Sequence, residues 1–134
     1  MTHREPGLVG AVLERDEIAA EIIGDGVHVH PAAVRIAIAA KGRSRVMAIT
    51  DGTAGSGLPK GSCARLGGHR ITVGDTAVLD DGTLAGSVAT MDRVFATLVS
   101  RAGQSLIDAA TLCATTPARE LGLGDDHDGI LALD

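Results

Sequence analysis

Apolar and polar positions along the chain follow two patterns, short apolar runs near the beginning and helical spacing later. Runs near 19–29 and over 45–50 are predicted strands, and the second is continuously apolar, as in strands that are covered on both faces. Between them an alanine-rich stretch over 31–41 predicts a helix that starts at Pro31, where the missing N–H costs nothing. Strand, helix and strand with short connections indicate a βαβ unit.

The pattern changes after the second strand. Residues 52–68 are rich in glycine, serine and proline and predict a long loop, which in a compact domain is usually functional or disordered. Two β-type segments within 69–80 predict a hairpin. Apolar residues then recur at helical spacing. This spacing predicts helices at 87–102, 105–115 and 117–121.

This set of elements is incomplete for a parallel fold. Two parallel strands do not make a stable sheet, and their apolar character requires cover on both faces. The last residues, 129–134, have the character of a strand that has just begun. We therefore expect residues 1–134 to form a single partial domain of a larger α/β fold.

Composition narrows the range of partners. The chain is 45% hydrophobic but 1% aromatic, so its core consists of small aliphatic side chains and base stacking is excluded. A net charge of −5 also argues against nucleic acid. Cys63 and Cys113 have no metal-type spacing, and the sequence contains neither an apolar leader nor a membrane-spanning run. We expect a cytoplasmic protein without a membrane partner.

Asp51 is the first candidate for chemistry. It follows the apolar run directly and precedes the glycine-rich loop. An aspartate before glycine is common where a strand ends in a turn. Catalytic groups of parallel α/β barrels also lie at the carboxyl ends of strands. The pattern by itself leaves both interpretations open.

Three other features have alternatives of the same kind. His28 and His30 could bind one metal if both point the same way from a strand; alternatively, one faces a site or an anion and the other caps the helix at Pro31. An isolated Arg4 near a terminus is ordinarily solvated. Residues 82–87 lead into a predicted helix, so their N–H groups could hold an anion or a sugar hydroxyl, or Ser87 could be an ordinary N-cap.

Five segments, taken in order, resemble the N-acetylglucosamine-6-phosphate deacetylases, a family of metal-dependent (β/α)8 barrels in the amidohydrolase superfamily. The segments are residues 4–8, 23–28, 49–54, 82–91 and 110–119. The resemblance implies that the chain is the C-terminal part of such a TIM barrel, with a β-hairpin insertion.

The resemblance also implies roles for individual residues. Asp51 matches the family's catalytic acid/base, and Arg4 matches an arginine that holds the sugar phosphate, across a dimer interface. The other implied substrate-binding residues are His28 with Asp25, Gly26 and Val27 at one place, and Leu84, Ala85 and Gly86 at another.

The implied reaction is hydrolysis of the acetamide of N-acetylglucosamine 6-phosphate to glucosamine 6-phosphate and acetate. It requires a divalent metal, zinc or iron, whose ligands belong to the part of the family barrel that precedes this chain; the chain contains no metal ligand. We expect a homodimer of the full-length form and no activity from the isolated chain. The alternatives are a non-catalytic phosphosugar-binding remnant and a related amidohydrolase that deacetylates another N-acyl amino sugar.

Overall fold

A computed structural model describes residues 2–123. In chain order its elements are α1 (Gly7–Glu14), β1 (Ala20–Ile23), α2 (Pro31–Lys41), β2 (Val46–Ile49), β3 (Cys63–Leu66), β4 (His69–Val73), β5 (Ala77–Leu79), α3 (Met91–Ser100), α4 (Leu106–Ala110) and α5 (Thr116–Glu120). A 3₁₀ turn, Arg43–Arg45, precedes β2, and a π-helical turn, Thr111–Thr115, joins α4 to α5. The predicted strand at 129–134 lies outside the described residues.

Strands β1 and β2 are parallel and are connected through α2, so the α/β class is confirmed. Their register runs from Ala20 opposite Val46 to Ile23 opposite Ile49. One step further, the N–H of Gly24 donates to the carbonyl of Ile49 at 3.0 Å. The carboxyl ends of the two strands therefore lie side by side, and the loops that follow them start from the same edge.

The strand predicted near 19–29 is shorter in the structure and ends at Ile23. The Asp25 carboxylate accepts hydrogen bonds from the N–H groups of Val27 at 2.9 Å and His28 at 3.0 Å. Gly26 has a φ of +74°, a backbone conformation that glycine adopts without steric cost. A side-chain-capped turn therefore replaces the second half of the predicted strand.

An antiparallel sheet with the order β3-β4-β5 follows β2. Strands β4 and β5 lie within the predicted hairpin region, but the prediction of an unbroken loop over 52–68 is wrong. Cys63–Leu66 forms β3 and pairs with β4 across Gly67 and Gly68. A glycine pair between two strands is a hairpin signal, since glycine supplies the positive φ that a tight turn needs.

The predicted helix at 87–102 begins later, at Met91. The N–H of Ser87 donates to the carbonyl of Asp51 at 2.9 Å, and the N–H of Thr53 donates to the carbonyl of Ser87 at 3.0 Å. These bonds form an isolated parallel bridge between Gly52 and Ser87, which keeps the segment before α3 extended. The N-cap position is consequently occupied by Thr90 and not by Ser87.

The remaining helices differ less from the predicted ranges. Helix α2 runs from Pro31 to Lys41 and ends at Gly42. The segments predicted at 105–115 and 117–121 follow one another through the π-helical turn, and Ser105 Oγ caps the first by accepting the Asp108 N–H at 3.1 Å. Helix α1 was not predicted; its apolar residues are largely exposed.

Two clusters of buried side chains hold these elements together. The first joins the βαβ unit to α3 and the C-terminal helices, and the second lies under the antiparallel sheet. The first consists of Val34, Val46, Ala48, Ala89, Val94, Leu98, Ala102, Ala109 and Leu112. The second consists of Ile71, Val73, Ala77, Ala85 and Val88. Within residues 2–123, every helix is too short or too polar to cross a membrane.

Candidate functional site

Asp51 lies at the carboxyl end of β2 in an unusual backbone conformation. Its φ is +49°, and among the described residues it is the only non-glycine residue with a positive φ. Aspartate tolerates this conformation better than most residues, but it remains uncommon. The turn itself is capped by Thr50, whose Oγ1 accepts the Gly52 N–H at 3.2 Å. The Asp51 side chain is exposed and makes no hydrogen bond within residues 2–123, so its carboxylate does not serve the turn.

Gly86 lies directly against Asp51. A Cβ added to Gly86 would be 3.5 Å from Asp51 Oδ2, 3.2 Å from the Asp51 carbonyl oxygen and 2.9 Å from Thr53 Cγ2. The contact is fixed by the hydrogen bond from Ser87 to Asp51, one residue further along. The structure thus brings together two candidate sites that are far apart in the sequence.

The segment 84–86 presents its backbone in two directions. The N–H of Ala85 donates to the carbonyl of Ala77 at 2.9 Å, and the N–H of Ala77 donates to the carbonyl of Gly86 at 3.1 Å. The N–H groups of Leu84 and Gly86 find no acceptor in the part of the chain that the structure describes. The Ala85 side chain is buried in the second cluster, whereas the Leu84 side chain is exposed. The segment can therefore offer backbone donors beside Asp51.

Asp25 and His28 form a close pair in the loop after β1. Asp25 Oδ1 accepts the two backbone N–H groups, and Oδ2 lies 2.6 Å from His28 Nδ1. The Asp25 side chain is 4% exposed and that of His28 is 13% exposed. Burial acts to raise the pKa of Asp25, but hydrogen bonds from His28 and Val27 outweigh it, and the pKa is lowered overall. Asp25 is therefore ionised at neutral pH.

His28 and His30 serve separate purposes. Neither lies in a strand, because β1 ends at Ile23. The His30 ring accepts the Ala32 N–H through Nδ1 at 3.1 Å and caps α2, as one of the sequence alternatives expected. Residues 2–123 contain no group of three His, Cys, Asp or Glu side chains that could hold a metal ion. The donors of the described residues do not fit a metal centre on their own.

Gly26 and Val27 border a crevice between this loop and α3, with a volume of about 660 Å³. Arg101 closes one side of the crevice, and its Nη1 lies 3.4 Å from the carbonyl oxygen of Gly26. A Cβ on Gly26 would approach that nitrogen to 2.7 Å, but the guanidinium lies at the end of a flexible side chain and can move aside, so it is the φ of +74° that favours glycine here. The Val27 side chain is half exposed.

Arg4 stands apart from the other candidates. It is exposed and lies just before α1. Within residues 2–123, no hydrogen bond or ion pair connects it to Asp51 or His28.

Thr53 as a supporting residue, and the contact that Ser87 makes with it, were missed by the sequence reasoning. Thr53 donates its Oγ1–H to the carbonyl of Ser87 at 3.2 Å, and the buried Ser87 Oγ accepts the Ala89 N–H at 2.9 Å. The Thr53 bond joins the Asp51 loop to the segment before α3, and the Ser87 bond fixes the backbone of that segment. The available signal was the presence of hydroxyl residues in a glycine-rich loop, but their partners are distant in the sequence.

Among proteins of known sequence, the chain is similar to deacetylases of N-acetyl amino-sugar phosphates. An N-acetylglucosamine-6-phosphate deacetylase of Bacillus subtilis (strain 168) is 40% identical over 124 residues, which cover 92% of this chain and 31% of that protein. A candidate N-acetylgalactosamine-6-phosphate deacetylase of Escherichia coli (strain K12) is 35% identical over 129 residues, covering 96% of this chain and 74% of that protein. No family model matches the chain.

Solved structures give the same result. A Mycobacterium smegmatis N-acetyl-D-glucosamine-6-phosphate deacetylase mutant, in complex with N-acetyl-D-glucosamine 6-phosphate, is 38% identical with a TM-score of 0.83 over 91% of this chain and 33% of that chain. The Thermotoga maritima N-acetylglucosamine-6-phosphate deacetylase is 32% identical with a TM-score of 0.80 over 91% of this chain and 34% of that chain.

The fold and the relatives together define an α/β protein of the sugar-phosphate deacetylase class. The chain belongs to the N-acetylglucosamine-6-phosphate deacetylase family. It spans about a third of the length of the Bacillus subtilis relative.

Proposed function

We propose that the chain forms the C-terminal part of a (β/α)8 barrel that hydrolyses N-acetylglucosamine 6-phosphate to glucosamine 6-phosphate and acetate. The observation that supports this most directly is the position of Asp51. Its carboxylate stands at the carboxyl end of a parallel strand, is free of any role in the turn, and lies against Gly86. Catalytic groups of barrels occupy this edge.

The open edge of β1 and the apolar groove beside it support the proposal of a barrel. Within residues 2–123, β1 pairs with β2 on one side and has no strand on the other. An apolar groove of about 520 Å³ lies between α1, β1 and α2. Leu8, Val9 and Ile36 in this groove are more than half exposed. An open strand edge beside apolar surface is what a preceding strand and helix of the same barrel would cover.

Asp51 is the proposed proton carrier. An acetamide is a poor electrophile, and its amine must leave protonated. A carboxylate beside the reacting carbon can accept the proton of the attacking water and return it to the departing nitrogen. The resemblance further implies a divalent metal, zinc or iron, held by residues that this chain does not supply.

Binding of the substrate would use the remaining candidates. The guanidinium of Arg4 and the ring of His28 can donate to the phosphate, away from the reacting carbon. The N–H groups of Leu84 and Gly86 can bind a sugar or acetamide oxygen beside Asp51. Remote binding of this kind orients the acetamide for attack. In the full-length form, Arg4 would reach the phosphate across a homodimer interface.

A chimera tests this function. It joins the first part of the Bacillus subtilis relative to this chain at the start of their aligned region. We expect it to release glucosamine 6-phosphate and acetate in equal amounts from N-acetylglucosamine 6-phosphate, and the isolated chain to release neither. The unaltered relative is the positive control. A chimera that melts cooperatively and binds the substrate but produces no acetate would contradict the proposal.

The galactosamine-named relative favours a second candidate, a deacetylase of N-acetylgalactosamine 6-phosphate. The two substrates differ in the configuration of one hydroxyl group. The same chimera, assayed with both sugars, distinguishes them through the ratio of kcat/KM values.

A third candidate is a non-catalytic phosphosugar-binding remnant, in which Arg4, His28 and the segment 82–87 would hold the sugar phosphate. Calorimetry of the isolated chain with glucosamine 6-phosphate tests this candidate. Binding by the chain, together with an inactive chimera, would support it.

Two unpaired cysteines, Cys63 and Cys113, suit a reducing compartment, and we propose the cytoplasm.

A further inference from the structure

Three of the about four acceptor positions of the Asp25 carboxylate are used within its own loop. Oδ1 accepts the N–H groups of Val27 and His28, and Oδ2 contacts His28 Nδ1 at 2.6 Å. With the side chain 4% exposed, little of the carboxylate is accessible to a substrate while these bonds are in place. The implied role of Asp25 as a substrate-binding residue therefore has little support in this geometry.

The contact between Asp25 and His28 determines which ring nitrogen of His28 carries the proton. An ionised carboxylate accepts hydrogen bonds and does not donate them, so the proton between the two side chains must come from Nδ1. In the neutral ring, Nε2 is then without a proton, and in the imidazolium it carries one. The 2.6 Å contact holds the ring with Nδ1 toward Asp25.

The opposite nitrogen of His28 is buried and unused. Nε2 has almost no solvent-exposed area, and no group within residues 2–123 gives it a hydrogen bond. A buried ring nitrogen without a partner is costly, so it normally has one in the complete site. His28 lies in the loop after the carboxyl end of β1. The neighbouring strand, β2, ends at the same edge of the sheet and is followed by Asp51.

We propose that Asp25 is a positioning residue, which orients the His28 ring and holds its proton on Nδ1 so that Nε2 is the atom presented to the ligand. The inference rests on the proposed function, in which that ligand is a phosphate oxygen of the sugar. The imidazolium then donates Nε2–H to the phosphate, and Asp25 balances its charge from the other side. Without the Asp25 carboxylate at Nδ1, the imidazolium would lose this counter-charge and its fixed orientation, and binding of the phosphate would weaken although Asp25 does not touch it.

Nitrogen-15 NMR of the histidine rings in the complete chain tests the pair without any substrate. For the neutral His28 ring, we expect the Nδ1–H tautomer in the native protein. In Asp25→Asn, the amide can turn its NH2 toward Nδ1, which moves the proton to Nε2. The His28 signals should exchange their protonated and unprotonated nitrogens, whereas those of the helix-capping His30 should not change.

Asp75→Asn is the matched control, because it removes an equal charge from the rim of the same crevice. It should leave the His28 tautomer unaltered. A native chain whose neutral His28 is protonated at Nε2 would overturn the proposal, and this result does not depend on how well Asp25→Asn folds. Unchanged His28 signals in a folded Asp25→Asn would overturn it equally.

Kinetics of the chimera connect the pair to the substrate. We expect Asp25→Asn to raise KM for N-acetylglucosamine 6-phosphate about tenfold with kcat within about threefold, the loss of one charge-assisted hydrogen bond. KM for N-acetylglucosamine without phosphate should not change. An equal rise for both sugars would contradict a role at the phosphate. The NMR result stands even if the chimera is inactive, so failure of the pair and failure of the proposed function are distinguishable.

Discussion

Gly86 and Asp51 define the site at the scale of single residues. Gly86 has a φ of +90°, and its Cα faces Asp51 and Thr53 so closely that a Cβ would meet three atoms of these two residues within 3.5 Å. Asp51 itself holds a positive φ without using its carboxylate locally. Strain of this kind persists where the surrounding contacts fix it, and it is common at functional sites.

Replacement of Gly86 by alanine should therefore cost more than backbone strain alone. Gly82 is the matched control, because its φ is +83° and nothing lies within 4 Å of an added Cβ. We expect Gly82→Ala to lower the free energy of unfolding by about 1 kcal/mol and Gly86→Ala by about 2–3 kcal/mol. Urea denaturation measures both. Equal losses would mean that the contact with Asp51 and Thr53 is not tight.

The Asp25 pair predicts a pH dependence of stability. The pKa of Asp25 is lowered in the folded chain from its ordinary value of 3.8, so the unfolded chain binds the proton more readily. The stabilisation is therefore present above about pH 4 and is lost as the pH falls through the lower folded pKa. Asp25→Asn should cost about 1–3 kcal/mol at pH 7, and the difference from the native chain should shrink below pH 4.

Urea midpoints of the native chain and Asp25→Asn, taken from pH 7 to pH 3, measure this dependence. Asp16→Asn is the control, since Asp16 is an exposed carboxylate between α1 and β1. A difference that stays constant across this range would show that the charge of Asp25 does not stabilise the fold.

At the level of elements, the helix whose bounds were predicted best has local signals at both ends. Helix α2 is bounded by Pro31 and Gly42, which act within one turn. The start of α3 depends instead on the bridge between Gly52 and Ser87, a long-range contact that no local pattern indicates. Likewise, the position of Asp51 after an apolar run could be predicted, but its contact with Gly86 could not.

Gly24, directly after β1, allows α3 to pack closely because glycine has no side chain. A Cβ on Gly24 would lie 2.6 Å from Val94 Cγ1, and Val94 is fully buried in the first cluster. We expect Gly24→Ala to lower the free energy of unfolding by about 1–3 kcal/mol. Gly68→Ala, in the β3–β4 turn with nothing within 4 Å, should change it by less than about 0.5 kcal/mol. Thermal and urea unfolding measure both; a neutral Gly24→Ala would contradict the packing of α3 on β1.

At the scale of the whole molecule, the described part of the chain is an α/β unit with two buried clusters and an open edge at β1. The α/β class could be predicted from the two apolar runs and the helix between them. The completed barrel remains a proposal, because its other strands would come from outside this chain. The metal is likewise part of the proposal, and its ligands would come from elsewhere, since residues 2–123 offer no set of three ligands.

The packing of the C-terminal helices on the sheet predicts an unequal reactivity of the two cysteines. Burial raises the pKa of Cys113 from 9.0 to about 11, whereas Cys63 is exposed in β3. A shift of two pH units lowers the thiolate fraction at pH 8 about 100-fold. Iodoacetamide should therefore label Cys63 at least tenfold faster than Cys113, as followed by mass spectrometry. In urea the two rates should converge; equal rates in the native chain would contradict the packing around the π-helical turn.

In the proposed function the carboxylate of Asp51 transfers the proton in amide hydrolysis, and turnover by the chimera with Asp51→Asn tests this role. Asparagine keeps the shape of the side chain but cannot accept the proton. We predict a fall in kcat for N-acetylglucosamine 6-phosphate on the order of 10³-fold, with KM within a few fold and with the exposed Asp80→Asn unaffected. An Asp51→Asn chimera that retains more than about a tenth of the parent kcat would contradict the claim.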